Sequence, residues 1–257
     1  MKAIRCDLPD AEQAEIIVFA DEHIGDKQSD WKSIQQRIEY VKNTPNCYCI
    51  LNGDLIDAAI VGSCGDIYSA ELQPMEAMKM CVKIFGPIAP KTLCVLKGNH
   101  ENRIYKSTGI DIIELMCAQL GISDKYSPTT ALLFVRFGRS NAQRRHRPQL
   151  YTIYVTHGSG GGRREGSKIN KLADLAAIVD ADIYIHSHTH LPAAFRNAFF
   201  RVSGSNSTVA EVDKLFVNTA ANLEYGGYGD TQGYKPASRL SPPIYLDGRN
   251  HRMWANV

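Results

Sequence analysis

Short apolar runs rich in β-branched residues punctuate the chain at 16–20, 48–51, 92–96, 151–156 and 182–185, each bounded by polar residues or glycine. Runs this short and this apolar predict buried strands. Between them, apolar residues recur at helical spacing: Trp31, Ile34, Ile38 and Val41; Met75, Met78, Val82 and Phe85 after Pro74; Ile112, Leu115, Met116 and Leu120 before Gly121; Ile169, Leu172, Leu175 and Val179. Each set lines one helix face, and a leading proline or a trailing glycine fits a helix end. Strands alternating with helices predict an α/β core with a largely parallel sheet.

The pattern changes after His190. Residues 194–202 and 214–219 read as strands, 226–243 are rich in glycine, proline and tyrosine, and 244–246 read as a last short strand. The second half is therefore expected to hold more β than α. Residues 138–148, between two strand-like runs, include Arg139, Arg144, Arg145, His146 and Arg147 and predict a basic hairpin loop.

Composition narrows the class. A length of 257 residues fits one α/β domain, so residues 1–257 are expected to form a single catalytic domain. No stretch approaches the roughly 20 apolar residues that cross a bilayer, so no membrane partner is expected. Residues 1–15 carry Asp7, Asp10, Glu12 and Glu15 and lack the basic start and apolar centre of a signal peptide, which predicts a cytoplasmic location. The cysteines are scattered and form no C-x-x-C pair, so neither disulfides nor a cysteine zinc site is expected. A net charge of +2 does not select a polyanionic partner.

The chemistry sits at strand ends. Asp21-Glu22-His23 follows the first apolar run, Gly53-Asp54-Leu55-Ile56-Asp57 the second and Gly98-Asn99-His100-Glu101 the third; His157-Gly158 follows the fourth, and His186-Ser187-His188-Thr189-His190 the fifth. Any one block is ordinary: a capped turn, a polar strand end, a solvated histidine loop. Five in succession, at the carboxyl edge where open α/β sheets bind ligands, predict one shared site.

These blocks resemble the signature of the calcineurin-like metallophosphoesterase superfamily: D-x-H, G-D-x-x-D, G-N-H-E/D, H and G-H-x-H, in that order from Asp21 to His190. The resemblance implies an α/β fold, a two-sheet β-sandwich flanked by helices in four αββα layers, with a dinuclear metal site on loops at one end. Carried over motif by motif, Asp21, His23 and His190 are expected to bind one metal, Asn99, His157 and His188 the other, and Asp54 to bridge them. Carboxylate, amide oxygen and imidazole suit two divalent ions such as manganese, iron or zinc, and an anionic bridge offsets the repulsion of cations about 3.5–4 Å apart.

The implied activity is hydrolysis of a phosphate mono- or diester by a hydroxide bridging the metals, with His100 as the general acid. Asp57 is expected either to accept a hydrogen bond from His100 and orient it, or simply to cap a helix. Two departures stand out. Ser187 replaces the family's usual glycine before the H-x-H pair, and Glu22 puts an extra acid between two ligands, harmless if it points away from the metals.

Substrate contacts are less defined. Arg103 is the candidate for a non-bridging phosphate oxygen. The glycine-rich residues 158–162, with Arg163 and Arg164, either cradle phosphate or form a plain surface loop. Tyr225, Tyr228 and Tyr234 either stack on a substrate ring or pack their own loop. The expected partner is a phosphate-ester substrate. A nuclease using the same site on DNA or RNA, with the basic loop as a backbone track, is the alternative; a non-catalytic scaffold ranks below both because the ligand set is intact. Oligomeric state is left open.

Overall fold

A computed structural model describes residues 1–60, 68, 70–138 and 148–257. Two mixed sheets of six strands stack face to face. One runs β1 (Lys2–Leu8), β6 (Thr130–Phe137), β7 (Leu150–Thr156), β8 (Ile183–His186), β10 (Thr208–Asn218) and β9 (Ala193–Ser203). The other runs β12 (Arg252–Ala255), β11 (Ile244–Asp247), β2 (Gln13–Phe19), β3 (Cys47–Asn52), β4 (Thr92–Leu96) and β5 (Tyr126–Ser127). Strands β2, β3, β4 and β5 pair in parallel, as do β7 and β8, so several strands end at the same edge of the sandwich.

The inner faces share one core, in which Leu133, Val135, Ile153 and Val217 of the first sheet meet Ile16, Val18, Ile50 and Leu96 of the second. Along β6 every second residue is buried, the mark of a strand with one face in that core. Helices α1 (Trp31–Asn43), α2 (Pro74–Phe85), α3 (Asn99–Thr108) and α4 (Ile112–Leu120) cover the outer face of the second sheet, packing Ile34, Met78, Phe85 and Met116 against Phe19, Leu51 and Val95. Helix α5 (Glu165–Asp174) covers the first sheet, with Leu172 on Tyr154, Tyr184 and Phe216. The result is the expected two-sheet sandwich between helical layers.

Helix starts follow their sequence signals. Asp30 accepts from the amide of Ser33 to begin α1, Pro74 opens α2, and Asp111 accepts from the amide of Glu114 to begin α4, which stops at a left-handed Gly121. Helix α3 escaped the apolar pattern because only Glu101 and Ile104 of its ten residues are buried. The spacing from Ile169 to Val179 predicts one helix, but α5 stops at Asp174 and tightens into a 3₁₀ turn at Leu175–Ala177.

The described cysteines are free and buried. Among the described residues no helix is long and apolar enough to cross a membrane. β6 and β7 pair antiparallel, and the basic residues 139–147 between them lie outside the described residues.

Candidate metal centre

The loops that follow β2, β3, β4, β7 and β8 bring their polar blocks together at one end of the sandwich. Ligand-capable atoms of Asp21, His23 and His190 lie within 4.8 Å of one another, and so do those of Asp54, His157 and His188. A third group, His23, Asp54 and His100, overlaps both. His190 Nε2 is 3.2 Å from Asp21 Oδ1. His157 Nε2 is 3.2 Å from both Asp54 Oδ2 and Asn99 Oδ1, which adds the amide of Asn99 to the second group.

Neighbouring groups set the orientation of these side chains. His157 Nδ1 faces the Asn52 carbonyl at 2.7 Å, leaving Nε2 for the centre. The amide of His188 donates to Asp21 Oδ2 at 3.0 Å, and the amide of His100 donates to Asp54 Oδ1 at 2.8 Å. Asn52 ties the two sheets beneath the centre, donating to the Ser187 hydroxyl at 2.6 Å and the Thr156 carbonyl at 2.9 Å.

Backbone strain gathers here. Asp21, His23, Asp54, His188 and His190 all have φ between 45° and 65°, the left-handed region that costs non-glycine residues about 1–2 kcal/mol each. Strain of this kind persists only where the surroundings over-determine it, and it clusters at functional sites.

The donor set fits divalent metal ions. Asp21 and Asp54 are buried carboxylates surrounded by imidazoles, with an amide oxygen alongside and no thiol, a mixture suited to manganese, iron or zinc. His23 Nε2 is buried with no hydrogen-bond partner, a cost of about 1–3 kcal/mol that a ligand at that nitrogen would remove.

Charge within the cluster is tightly coupled. Burial opposes ionisation of Asp54, yet His157, then His100 and His23, hold its carboxyl well below the usual range. Burial likewise works against a charged His157, but Asp54 pushes it up to about 10. Burial, reinforced by the charge of His157, lowers His188 to about 4. A cluster so arranged holds protons that an incoming cation must displace.

His100 stands at the rim. Its Nδ1 is 2.6 Å from the Asp57 carbonyl and 3.2 Å from Asp57 Oδ1. Burial lowers its proton affinity, but Asp57 and Asp54 together raise it above the ordinary histidine value. Arg103 lies across the same ring, one guanidinium nitrogen 3.0 Å from Nε2. Residues 58–60 are irregular, so Asp57 caps no helix.

Both sequence departures have a physical account. Ser187 is not among the left-handed residues, so glycine's freedom is not needed there, and its hydroxyl accepts from Asn52 and meets Thr219 Oγ1 at 2.8 Å. Glu22 turns away from the cluster to Arg37 of α1, 2.6 Å away.

Among the remaining candidates, the Tyr228 side chain lies outside what the structure describes, and Ser159, Gly161, Arg163, Tyr225 and Tyr234 contact other parts of the chain. Lys171 Nζ donates to the carbonyls of Ser159 and Gly161 at 3.0 and 3.2 Å, tying down the glycine-rich loop. Arg163 donates to the Gln232 carbonyl and lies 5.5 Å from the Tyr234 ring centre, and the Tyr225 hydroxyl donates to the Tyr234 carbonyl. The motifs assign no role to Asn52, Asn218 or Glu101. Asn218 Oδ1 meets His186 Nδ1 at 2.8 Å, and of the three only Glu101 carries a local signal, its place three residues after the helix N-cap Gly98.

A two-sheet sandwich carrying such a cluster at the strand ends fits a metal-dependent phosphoesterase, a hydrolase, and the family match bears this out. The model of the calcineurin-like phosphoesterase family matches residues 14–192, and the chain belongs to that family. Among solved structures it is similar to a predicted phosphoesterase from Streptococcus pneumoniae (16% identity over 95% of this chain and 98% of that one, TM-score 0.39). It is also similar to zinc-complexed Vps29 from Entamoeba histolytica (14%, 94% and 92%, TM-score 0.42) and to the nuclease MPE of Pseudomonas putida (14%, 94% and 87%, TM-score 0.37). No curated protein matches the chain.

Proposed function

We propose that the chain hydrolyses a phosphate mono- or diester at two divalent ions, with Asp21, His23 and His190 holding one, Asn99, His157 and His188 the other, and Asp54 between them. The observation that carries this reading is the pair of three-residue clusters meeting at a buried edge, with His23 Nε2 left without a partner. Such ions, when bound, lower the pKa of water and neutralise charge on phosphoryl oxygens.

The chain's own groups do the rest. Asp57 accepts from His100 Nδ1 through its carboxylate and carbonyl, which fixes the ring and leaves Nε2 facing Asp54 Oδ2, 3.9 Å away. His100, its proton affinity raised by Asp57 and Asp54, is the group placed to deliver a proton from Nε2 to the departing oxygen. Arg103, beside that nitrogen, donates to a non-bridging oxygen of the ester.

The test is hydrolysis of a nitrophenyl phosphomonoester and the matching diester by chelator-stripped protein, with manganese, iron or zinc restored in turn. Turnover that appears only with added ion supports the reading, and the preferred ester assigns the substrate class. Turnover unaffected by chelation, or none with any of these ions, sinks it.

A further inference from the structure

Glu101 has no part in the reaction just described, yet its side chain is fully buried and both oxygens are engaged with backbone. Oε1 accepts from the amides of Leu55 at 2.6 Å and Ile56 at 3.1 Å. Oε2 accepts from Gly98 at 2.9 Å and Asp54 at 3.1 Å. These four bonds match the roughly four acceptor positions of an ionised carboxylate.

Three of the amides belong to the loop after β3, which carries Asp54 and Asp57. The fourth belongs to the turn after β4, which carries Asn99 and His100. An ordinary helix cap needs only the bond to Gly98; the other three reach a loop 45 to 47 residues away in sequence. We infer that Glu101 is a positioning residue that clamps these two loops together, so that Asp54 and Asn99 both meet His157 while His100 meets Asp57. The inference rests on the two-ion reading above for its consequence in activity, and on the hydrogen bonds alone for the clamp.

A carboxylate is required because all four partners donate. Glutamine has the same shape but one acceptor oxygen, and its NH₂ would point hydrogens at two backbone N–H groups. Aspartate keeps both oxygens but is one methylene shorter, so it cannot reach both loops without drawing them out of place.

The test compares wild type with Glu101→Gln, using Leu215→Val in the sandwich core as a destabilised control away from the centre. Manganese affinity and stoichiometry of the stripped proteins are measured by calorimetry, kcat and KM with the nitrophenyl ester, and backbone amide exchange by NMR. The expected result is a roughly 10–100-fold loss of manganese affinity in Glu101→Gln, as for other groups that orient metal ligands. A fall in kcat with little change in KM should accompany it, together with faster exchange at Leu55 and Ile56, while Leu215→Val keeps wild-type affinity.

Wild-type affinity and unchanged exchange in Glu101→Gln overturn the clamp, as does an equal loss of affinity in Leu215→Val. If Glu101→Gln does not fold, Glu101→Asp is read the same way, with an intermediate loss expected. The exchange readout needs no ion. A wild-type protein that hydrolyses no ester, with Leu55 and Ile56 still released in the variant, would therefore overturn the proposed function and leave the clamp standing.

Discussion

Arg37 of helix α1 reaches to within 2.6 Å of Glu22, which is wholly buried between Asp21 and His23. The pair is only partly satisfied: Glu22 Oε1 and Arg37 Nε have no hydrogen-bond partner, and burial raises the Glu22 carboxyl despite the arginine beside it. Both flanking residues are left-handed, so the pair sits within a strained turn. Arg37→Met leaves a charge buried alone and should cost about 3–5 kcal/mol, whereas Glu22→Met with Arg37→Met should cost far less than the two single changes together. Urea denaturation of the four proteins checks this, and additive losses would refute the coupling.

His100 should matter in proportion to how poor the leaving group is. For an ester of an ordinary alcohol, His100→Asn should lower kcat about 10²–10⁴-fold, the usual worth of a positioned acid. For a nitrophenyl ester the loss should be smaller, because nitrophenolate departs without a proton. Equal losses with both esters would remove His100 from that role.

Gly98 is needed for lack of a side chain. A Cβ there would stand 2.1 Å from Asp54 Oδ1 and 2.2 Å from the Asp54 amide. Gly98→Ala should therefore displace Asp54, cost about 1–3 kcal/mol as overpacking does, and reduce the number of manganese ions retained after dialysis. Elemental analysis alongside a thermal melt measures both effects; full metal content in a protein of unchanged stability would show that the two loops can separate.

Acid sensitivity should trace in part to Asp111, which receives hydrogen bonds from Lys97 Nζ and the Tyr126 hydroxyl, each at 2.7 Å. Burial disfavours its charge, but the bonds from Lys97 and Tyr126 prevail and hold the carboxyl below its ordinary value. A depressed folded pKa means the stabilisation is present above the unfolded value of about 3.9 and fades as pH falls through the folded one. Asp111→Asn should therefore be less stable than wild type at pH 7, with the gap narrowing below about pH 4. Urea midpoints from pH 7 to pH 3 test it, and a constant gap would exclude this carboxylate.

Much of the architecture was legible. The run at 92–96 is β4 without adjustment, and Ile112 to Leu120 is α4, because a buried strand and a capped amphipathic helix both announce themselves within ten residues. β1 escaped notice because its alternating Lys2–Leu8 segment forms no apolar run, having one face in the core and the other exposed. The polar blocks were legible too, since each ends an apolar run, and Asp21, Asp54, Asn99, His157, His188 and His190 do converge at one edge.

The sequence by itself determined which residue types stand at the ends of which strands, because strand and helix signals are local and their ends are marked by polar residues and glycine. Only the tertiary structure decided what supports them: that Asn52 meets Ser187 across 135 positions, that Glu22 faces Arg37, and that Glu101 gathers amides from two loops. Those contacts depend on strand order and on which loops the stacked sheets bring side by side. A buried donor or acceptor takes its partner from whatever the fold places within hydrogen-bond reach, and no spacing along the chain encodes that neighbour.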